Sequence, residues 1–286
     1  MRRFALILVV VIVGSAVSAC AVAWSAQERR PDDSQRPAPA QYTKLVWSDE
    51  FSGPAGAPPA GSKWIHDIGA WGFTNNELET YTDSTANASL DGQGHLALVA
   101  RRQTETGPDG RTRNYTSARL ETQGLFSTTY GLIEARMKIP AGAGLWPAFW
   151  LLGNGFNTVG WPACGEIDVL EALDGFPSVA HGFINGPSDQ APHYTVGHTA
   201  VSARSLASGF HTYAIRWSRN SITWLLDGVP YGTTTPKNLP PGARWVFNGP
   251  FHLVLNLAVG GEWGGPPTSS TRFPATLLVD WVRVYQ

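Results

Sequence analysis

Charged residues are scarce in this chain of 286 residues: Asp, Glu, Lys and Arg make up 15%, against about 25% in ordinary soluble domains. A basic excess is also missing. The formal net charge of −1 excludes an electrostatic grip on nucleic acid. Cysteine is almost absent, with two in the whole chain. One of them, Cys20, lies near the N-terminus, so Cys164 stands alone in the rest and an internal disulfide framework is excluded. No internal repeat and no long amphipathic helical pattern is present. The apolar run from Phe4 to Val13 is ten residues long, too short for the roughly 20 that span a bilayer.

That run follows Arg2 and Arg3 and ends in Val17-Ser18-Ala19-Cys20, the layout of an export signal. The tetrapeptide resembles a bacterial lipobox, in which the cysteine becomes the lipidated first residue. Residues 1–20 are therefore expected to be a lipoprotein-type signal peptide. Cleavage nearby, after Ala23 or Ala26, would instead give a freely secreted protein. Residues 21–40 are polar and proline-rich and cannot offset the entropy of ordering, so they are expected to be a disordered tether. The functional domain is expected over residues 41–286.

What is abundant is hydrophobic matter at 43%, with 31 Gly, 21 Pro and 12 Trp. Such a chain can bury a sizeable core and needs many turns. Short β-rich runs recur between turn signals: residues 44–49, 95–101, 131–139, 210–218, 221–226, 251–257 and 277–285. Asp227-Gly228 between two of them is a hairpin signal. Strands at this spacing without intervening helices predict an all-β sandwich of two antiparallel sheets, its site built on Gly-, Pro- and Asn-rich loops.

The most informative stretch is Gly165-Glu166-Ile167-Asp168-Val169-Leu170-Glu171. In a regular strand Glu166 and Asp168 share one face, while Glu171 falls on the other. One β-bulge between Asp168 and Glu171 would restore parity and bring all three carboxyls together. Paired carboxyls suit glycoside hydrolysis with retention, where one attacks the anomeric carbon and the other protonates the leaving oxygen. Their proximity raises one pKa and keeps an acid protonated near neutrality. A solvated polar face or an acidic cation site would read the same way from these residues alone.

Glu-x-Asp-x-x-Glu after Trp161-Pro162-Ala163-Cys164-Gly165 resembles the active-site strand of glycoside hydrolase family 16, nearest its bacterial laminarinases. Further segments resemble that family in the same order. They are residues 75–82 (NNELETYT), 115–120 (YTSARL), 144–152 (GLWPAFWLL), 256–261 (NLAVGG) with Trp263, and 279–285 (VDWVRVY). Together they cover nearly all of residues 42–286. The resemblance implies a β-jelly roll whose concave face forms an open cleft for polysaccharide. It also implies an endo-acting, retaining β-1,3-glucanase. Glu166 would be the nucleophile, Glu171 the general acid/base and Asp168 the assisting carboxyl. The longer glutamate spacing matches the family's bulged branch. Cleavage of a mixed-linkage glucan or a galactan, or glucan recognition without cleavage, are the alternatives.

A pyranose ring stacks its C–H face on an indole, so Trp161, five residues before Glu166, is the first expected sugar platform. Trp146 and Trp263 follow, in Gly-rich segments. Trp47, Trp150, Trp217, Trp224 and Trp281 sit in apolar strands and read as core. Asn75, Asn76 and Glu77 are candidates for bonds to sugar hydroxyls. By resemblance Arg119 contacts the sugar next to the scissile bond, with an ion pair to Glu121 or Glu134 as the structural alternative. Asn256 matches a cleft position, and His181 would line the acceptor side or sit hydrogen-bonded in the core. His193 and His198 read as a flexible cleft wall. No zinc spacing is present, and Cys164 has no base beside it. No cofactor is expected for catalysis. The resemblance implies one structural calcium on the convex side, at Glu50, Asp280 and a backbone carbonyl near Gly94. The partners expected are a β-glucan and, through Cys20 alone, a membrane; no nucleic acid is expected, and the chain should be monomeric.

Overall fold

The computed structural model describes residues 42–73, 75–173 and 177–286. The expected signal peptide, Cys20 and the tether lie outside the described residues. From Ala38 onward the chain clusters as one compact unit.

Two large antiparallel sheets make up the domain. The outer sheet runs, edge to edge, through Val229–Thr234, Ser221–Leu226, His211–Ser218, Gly131–Lys138, Ala275–Tyr285, Leu96–Ala100 and Ala88–Leu90. Leu45–Asp49 also pairs with Ala275–Tyr285. The inner sheet runs through Tyr194–Val201, Val179–Gly186, Glu166–Glu171, Leu145–Gly153, Phe251–Val259, Arg119–Glu121 and Ile65–His66. Every run read as a strand is one, shifted by two residues or fewer at either end. Asp227 and Gly228 take φ of 50° and 75°, the left-handed pair that a tight hairpin of this hand requires.

The core lies between the sheets. Leu96, Leu98, Ile133, Ala135, Val279 and Val282 from one side meet Phe149, Leu151, Ile167, Leu253, Leu255 and Leu257 from the other. Burial follows the period of two where a strand has one wet face, as in Leu96–Ala100, whereas all nine residues of Phe251–Val259 are buried. Trp217 and Trp224 are fully buried, as their apolar strands predicted. A Cβ on Gly182 would sit 2.2 Å from the Trp224 ring, so only glycine leaves room for that indole behind the inner sheet.

The residues expected to hold calcium are arranged differently. Arg283 engages both oxygens of Glu50 at 3.0 and 2.8 Å. Asp280 is paired with Arg136 and faces His95 at 3.8 Å. Among the described residues no group of three His, Cys, Asp or Glu side chains could hold a metal ion. Arginines thus engage both carboxylates, Arg283 that of Glu50 and Arg136 that of Asp280. Glu50–Arg283 itself ties the chain after the first strand to the last strand.

Candidate active site

The strand Glu166–Glu171 carries the expected bulge. Against Leu145–Gly153 the register runs Ala148–Glu171, Phe149–Leu170, then Trp150–Asp168, leaving Val169 as the extra residue. The same irregularity interrupts pairing with Val179–Gly186. Ile167, Val169 and Leu170 all enter the core, while Glu166, Asp168 and Glu171 line a groove of about 660 Å³ on the opposite face. Two successive core-facing residues thus flip the parity and deliver Glu171 beside the other carboxyls.

Asn185 lies opposite Glu166 in the register of the neighbouring strand. Its Oδ1 accepts from the Thr195 hydroxyl at 2.6 Å, which points its Nδ2 at the acids. That amide donates to Glu166 Oε1 at 2.7 Å and to Asp168 Oδ2 at 3.0 Å. From behind, the Trp224 indole donates to the Asp168 carbonyl at 2.7 Å. From the neighbouring strand, the Trp146 indole donates to Glu171 Oε1 at 2.9 Å.

Burial is the largest influence on all three carboxyls, and it raises each pKa. Glu166 is pushed up to about 7, restrained by the Asn185 bond, the charge of Arg119 and a bond from Trp161. Glu171 is pushed up to about 8, with the negative charge of Glu166 adding to burial. Asp168 lies between the two and rises well above the carboxylate range. Glu166 therefore ionises first, and Glu171 keeps its proton. The environments push the two glutamates apart in the sense that assigns an attacking carboxylate and a proton donor.

Several expected site residues reach the groove: Asn75, Glu77, Arg119, Trp146, Trp161 and Asn256 line it. Trp161 is 41% exposed and packs on His193, 4.9 Å between ring centroids. Arg119 pairs with Asp67 at 3.0 Å, rather than with Glu121 or Glu134, and lies 4.8 Å over the Trp150 ring. Trp146 is buried and serves Glu171, whereas Trp263 stands outside the lining, edge-on to Trp146 and His181. His181 sits opposite Glu171 in register and bonds Thr199 at 3.1 Å. Asn76 is exposed, lies outside the groove lining, and donates to the lining residue Glu262 at 2.6 Å.

Three readings need correction. Trp150 lines the groove and donates to Asn256 Oδ1 at 2.8 Å; it shares parity with Trp146, two pairs of residues earlier, and that parity was the available signal. His198 turns from the cleft to Thr234 at 2.8 Å. The groove also takes in Trp71 and Phe73 from a loop, Phe156 and Glu262 from single helical turns, and Asn185, none of which stood out in the sequence. Cys164 is buried, with its thiol pushed up to about 11 by burial and then by the charge of Glu166; it is no nucleophile.

An antiparallel sheet presenting two half-buried glutamates of unequal acidity, in a groove walled by indoles, defines a carbohydrate-cleaving hydrolase. Comparison with known proteins narrows this class. Residues 74–283 match the glycosyl hydrolases family 16, and the chain belongs to that family. It is 38% identical to a beta-glucanase of Rhodothermus marinus over 260 residues, 88% of each chain. Among solved structures it is similar to the endo-beta-1,3-glucanase of Pyrococcus furiosus, with 39% identity and a TM-score of 0.77 over 85% of this chain and 94% of that one. The laminarinase catalytic domain of Thermotoga maritima aligns with 38% identity and a TM-score of 0.78, over 85% and 98%.

Proposed function

We propose that this glycoside hydrolase is an endo-acting, retaining β-1,3-glucanase. The observation that carries the chemistry is the bulged strand, which gathers Glu166 and Glu171 on one groove face with the lower pKa on Glu166. Glu166 attacks the anomeric carbon, while Glu171 gives its proton to the departing glycosidic oxygen. The bond from sugar to oxygen breaks as the bond to Glu166 forms. Water then attacks the glycosyl-enzyme, with Glu171 taking its proton and the Glu166 carboxylate leaving. Burial and the charges of the two glutamates favour the neutral form of Asp168, and the charge needed for attack belongs on Glu166. Asn185 holds that carboxylate in place for attack.

The β-1,3-glucan substrate is supported by the similarity to the beta-glucanase and to the two solved glucanases. A relative from Penaeus monodon named as a beta-1,3-glucan-binding protein is 33% identical over 52% of this chain, so release of sugar has to be measured. Laminarin should yield reducing ends with the natural chain. Glu166→Gln should lower turnover by at least about a thousandfold while laminarin binding survives. Binding without any release by the natural chain would sink the enzymatic reading, and near-native turnover by Glu166→Gln would remove the nucleophile. First-formed product in the inverted anomeric configuration, seen by proton NMR, would exclude retention.

The same reading makes the protein an exported monomer with Cys20 as its lipid-modified residue. A Cys20→Ser chain should move from the membrane fraction to the medium; an unchanged partition overturns the anchor.

A further inference from the structure

One buried carboxyl beside the groove has no part in the chemistry above. Glu79, in the short strand Glu79–Tyr81, is fully buried. Its Oε2 accepts from the Val259 backbone N–H at 2.8 Å, while its Oε1 meets no donor. Beside it lies the carboxyl of Glu77, two residues back in the chain and within hydrogen-bonding reach. Two ionised carboxylates cannot hydrogen-bond, so one proton has to lie between them. A buried oxygen left without a partner costs about 1–3 kcal/mol, and that proton removes the deficit.

We propose that Glu79 is a positioning residue that carries this proton and donates it to Glu77, holding Glu77 in the groove wall as an acceptor-only carboxylate. This rests on the reading of the groove as a glucan site. The proton belongs on Glu79 because Glu77 has the richer set of donors. Glu77 accepts from the Tyr81 hydroxyl at 3.1 Å and from Asn75 Nδ2 at 3.4 Å, and it feels the charge of Arg119. Both oxygens of Glu77 thus accept, whereas Glu79 takes the Val259 N–H on Oε2, has the Tyr81 hydroxyl close by, and meets no donor at Oε1.

The hydrogen bonds behind the groove then run in one direction. Trp150 donates to Asn256 Oδ1, so the Asn256 amide nitrogen faces Tyr81 and donates to its hydroxyl at 3.2 Å. Tyr81 in turn must donate to Glu77. The chain ends on a carboxylate whose remaining lone pairs face the groove. A sugar hydroxyl there can only donate, which selects hydroxyl position and orientation. An ionised Glu79 would set two negative charges side by side and push Glu77 off Tyr81 and Asn75.

Two variants of the full chain test this. Glu79→Gln keeps an N–H donor toward Glu77, and Glu79→Met fills similar space without one. Without substrate at pH 7, the infrared difference between natural chain and Glu79→Gln should show one protonated-carboxyl C=O band, shifted in D2O and lost in the variant. On laminarin, Glu79→Gln should keep KM within about threefold, whereas Glu79→Met should raise KM about tenfold with a smaller change in kcat. Absence of the infrared band overturns the proposal. So does equal impairment of the two variants, or an unchanged KM in Glu79→Met. If Glu79→Met fails to fold by circular dichroism, the band and the Glu79→Gln kinetics decide alone. A band without laminarin cleavage by the natural chain would overturn the glucan reading and leave the shared proton standing.

Discussion

The indole N–H of Trp146 donates to Glu171, and such a bond favours the ionised carboxyl, opposing the rise caused by burial and by Glu166. Turnover needs Glu166 ionised and Glu171 protonated. In the free enzyme kcat/KM should therefore rise as pH passes about 7 and fall as it passes about 8. Trp146→Phe keeps the ring but removes the donor, so Glu171 should hold its proton to higher pH. The falling limb should move up by about half to one pH unit, since a bond worth about 1 kcal/mol is a little under one pKa unit. A falling limb that stays in place, or moves down, in a kcat/KM profile would show that Trp146 meets sugar and not the acid. This role was invisible in the sequence, where an indole in a Gly-rich segment looks like a platform. The bond depends on the approach of Trp146 and Glu171 from neighbouring strands, 25 residues apart in the chain.

At the scale of the strand, the one-residue excess decides which way Glu171 faces. Deleting Val169 would leave Glu166, Asp168 and the second glutamate on alternate positions of a regular strand, all toward the groove. Inserting an alanine after Val169 also makes the spacing even, but it carries that glutamate two positions, about 7 Å, further along the strand from Glu166 than the deletion does. The deletion should therefore keep a cooperative melt and some laminarin cleavage, while the insertion should keep the melt and lose the cleavage through the wider separation; loss of the cooperative melt in both would refute the parity account. This element was the most legible in the sequence, because a period of two makes Glu-x-Asp-x-x-Glu inconsistent with a regular strand. Asn185 was not legible. It faces Glu166 only through the register between two strands, and an amide followed by glycine reads as a turn. His198 misled for the converse reason, since its partner Thr234 comes from the other sheet.

Over the whole molecule, the groove lining comes from five adjacent strands, from Val179–Gly186 through to Arg119–Glu121. At about 4.8 Å per strand this is roughly 19 Å of sheet, enough for several sugar rings. Indole rings and hydrogen-bonding side chains line it, in a chain of net charge −1. KM for laminarin should change less than about twofold between about 0.05 and about 0.5 M NaCl, since a neutral polymer gives screening little to act on. A steep salt dependence in initial-rate measurements would point to a charged polysaccharide. The scarcity of charge in the sequence foreshadowed this, and the twelve tryptophans divide accordingly. Trp71, Trp146, Trp150 and Trp161 line the groove, while Trp217 and Trp224 fill the interior.

Trp224 belongs to the outer sheet, yet its N–H grips the carbonyl of Asp168 through the notch that Gly182 leaves open. It is a tie rod between the far wall of the sandwich and the one strand that does chemistry. The aim of the carboxyls is thereby gauged against the distance between the sheets. Heat that loosens the sheets should slacken that rod before the strands unzip, so laminarin cleavage should be lost a few degrees below the Tm read by circular dichroism; coincident loss would refute it.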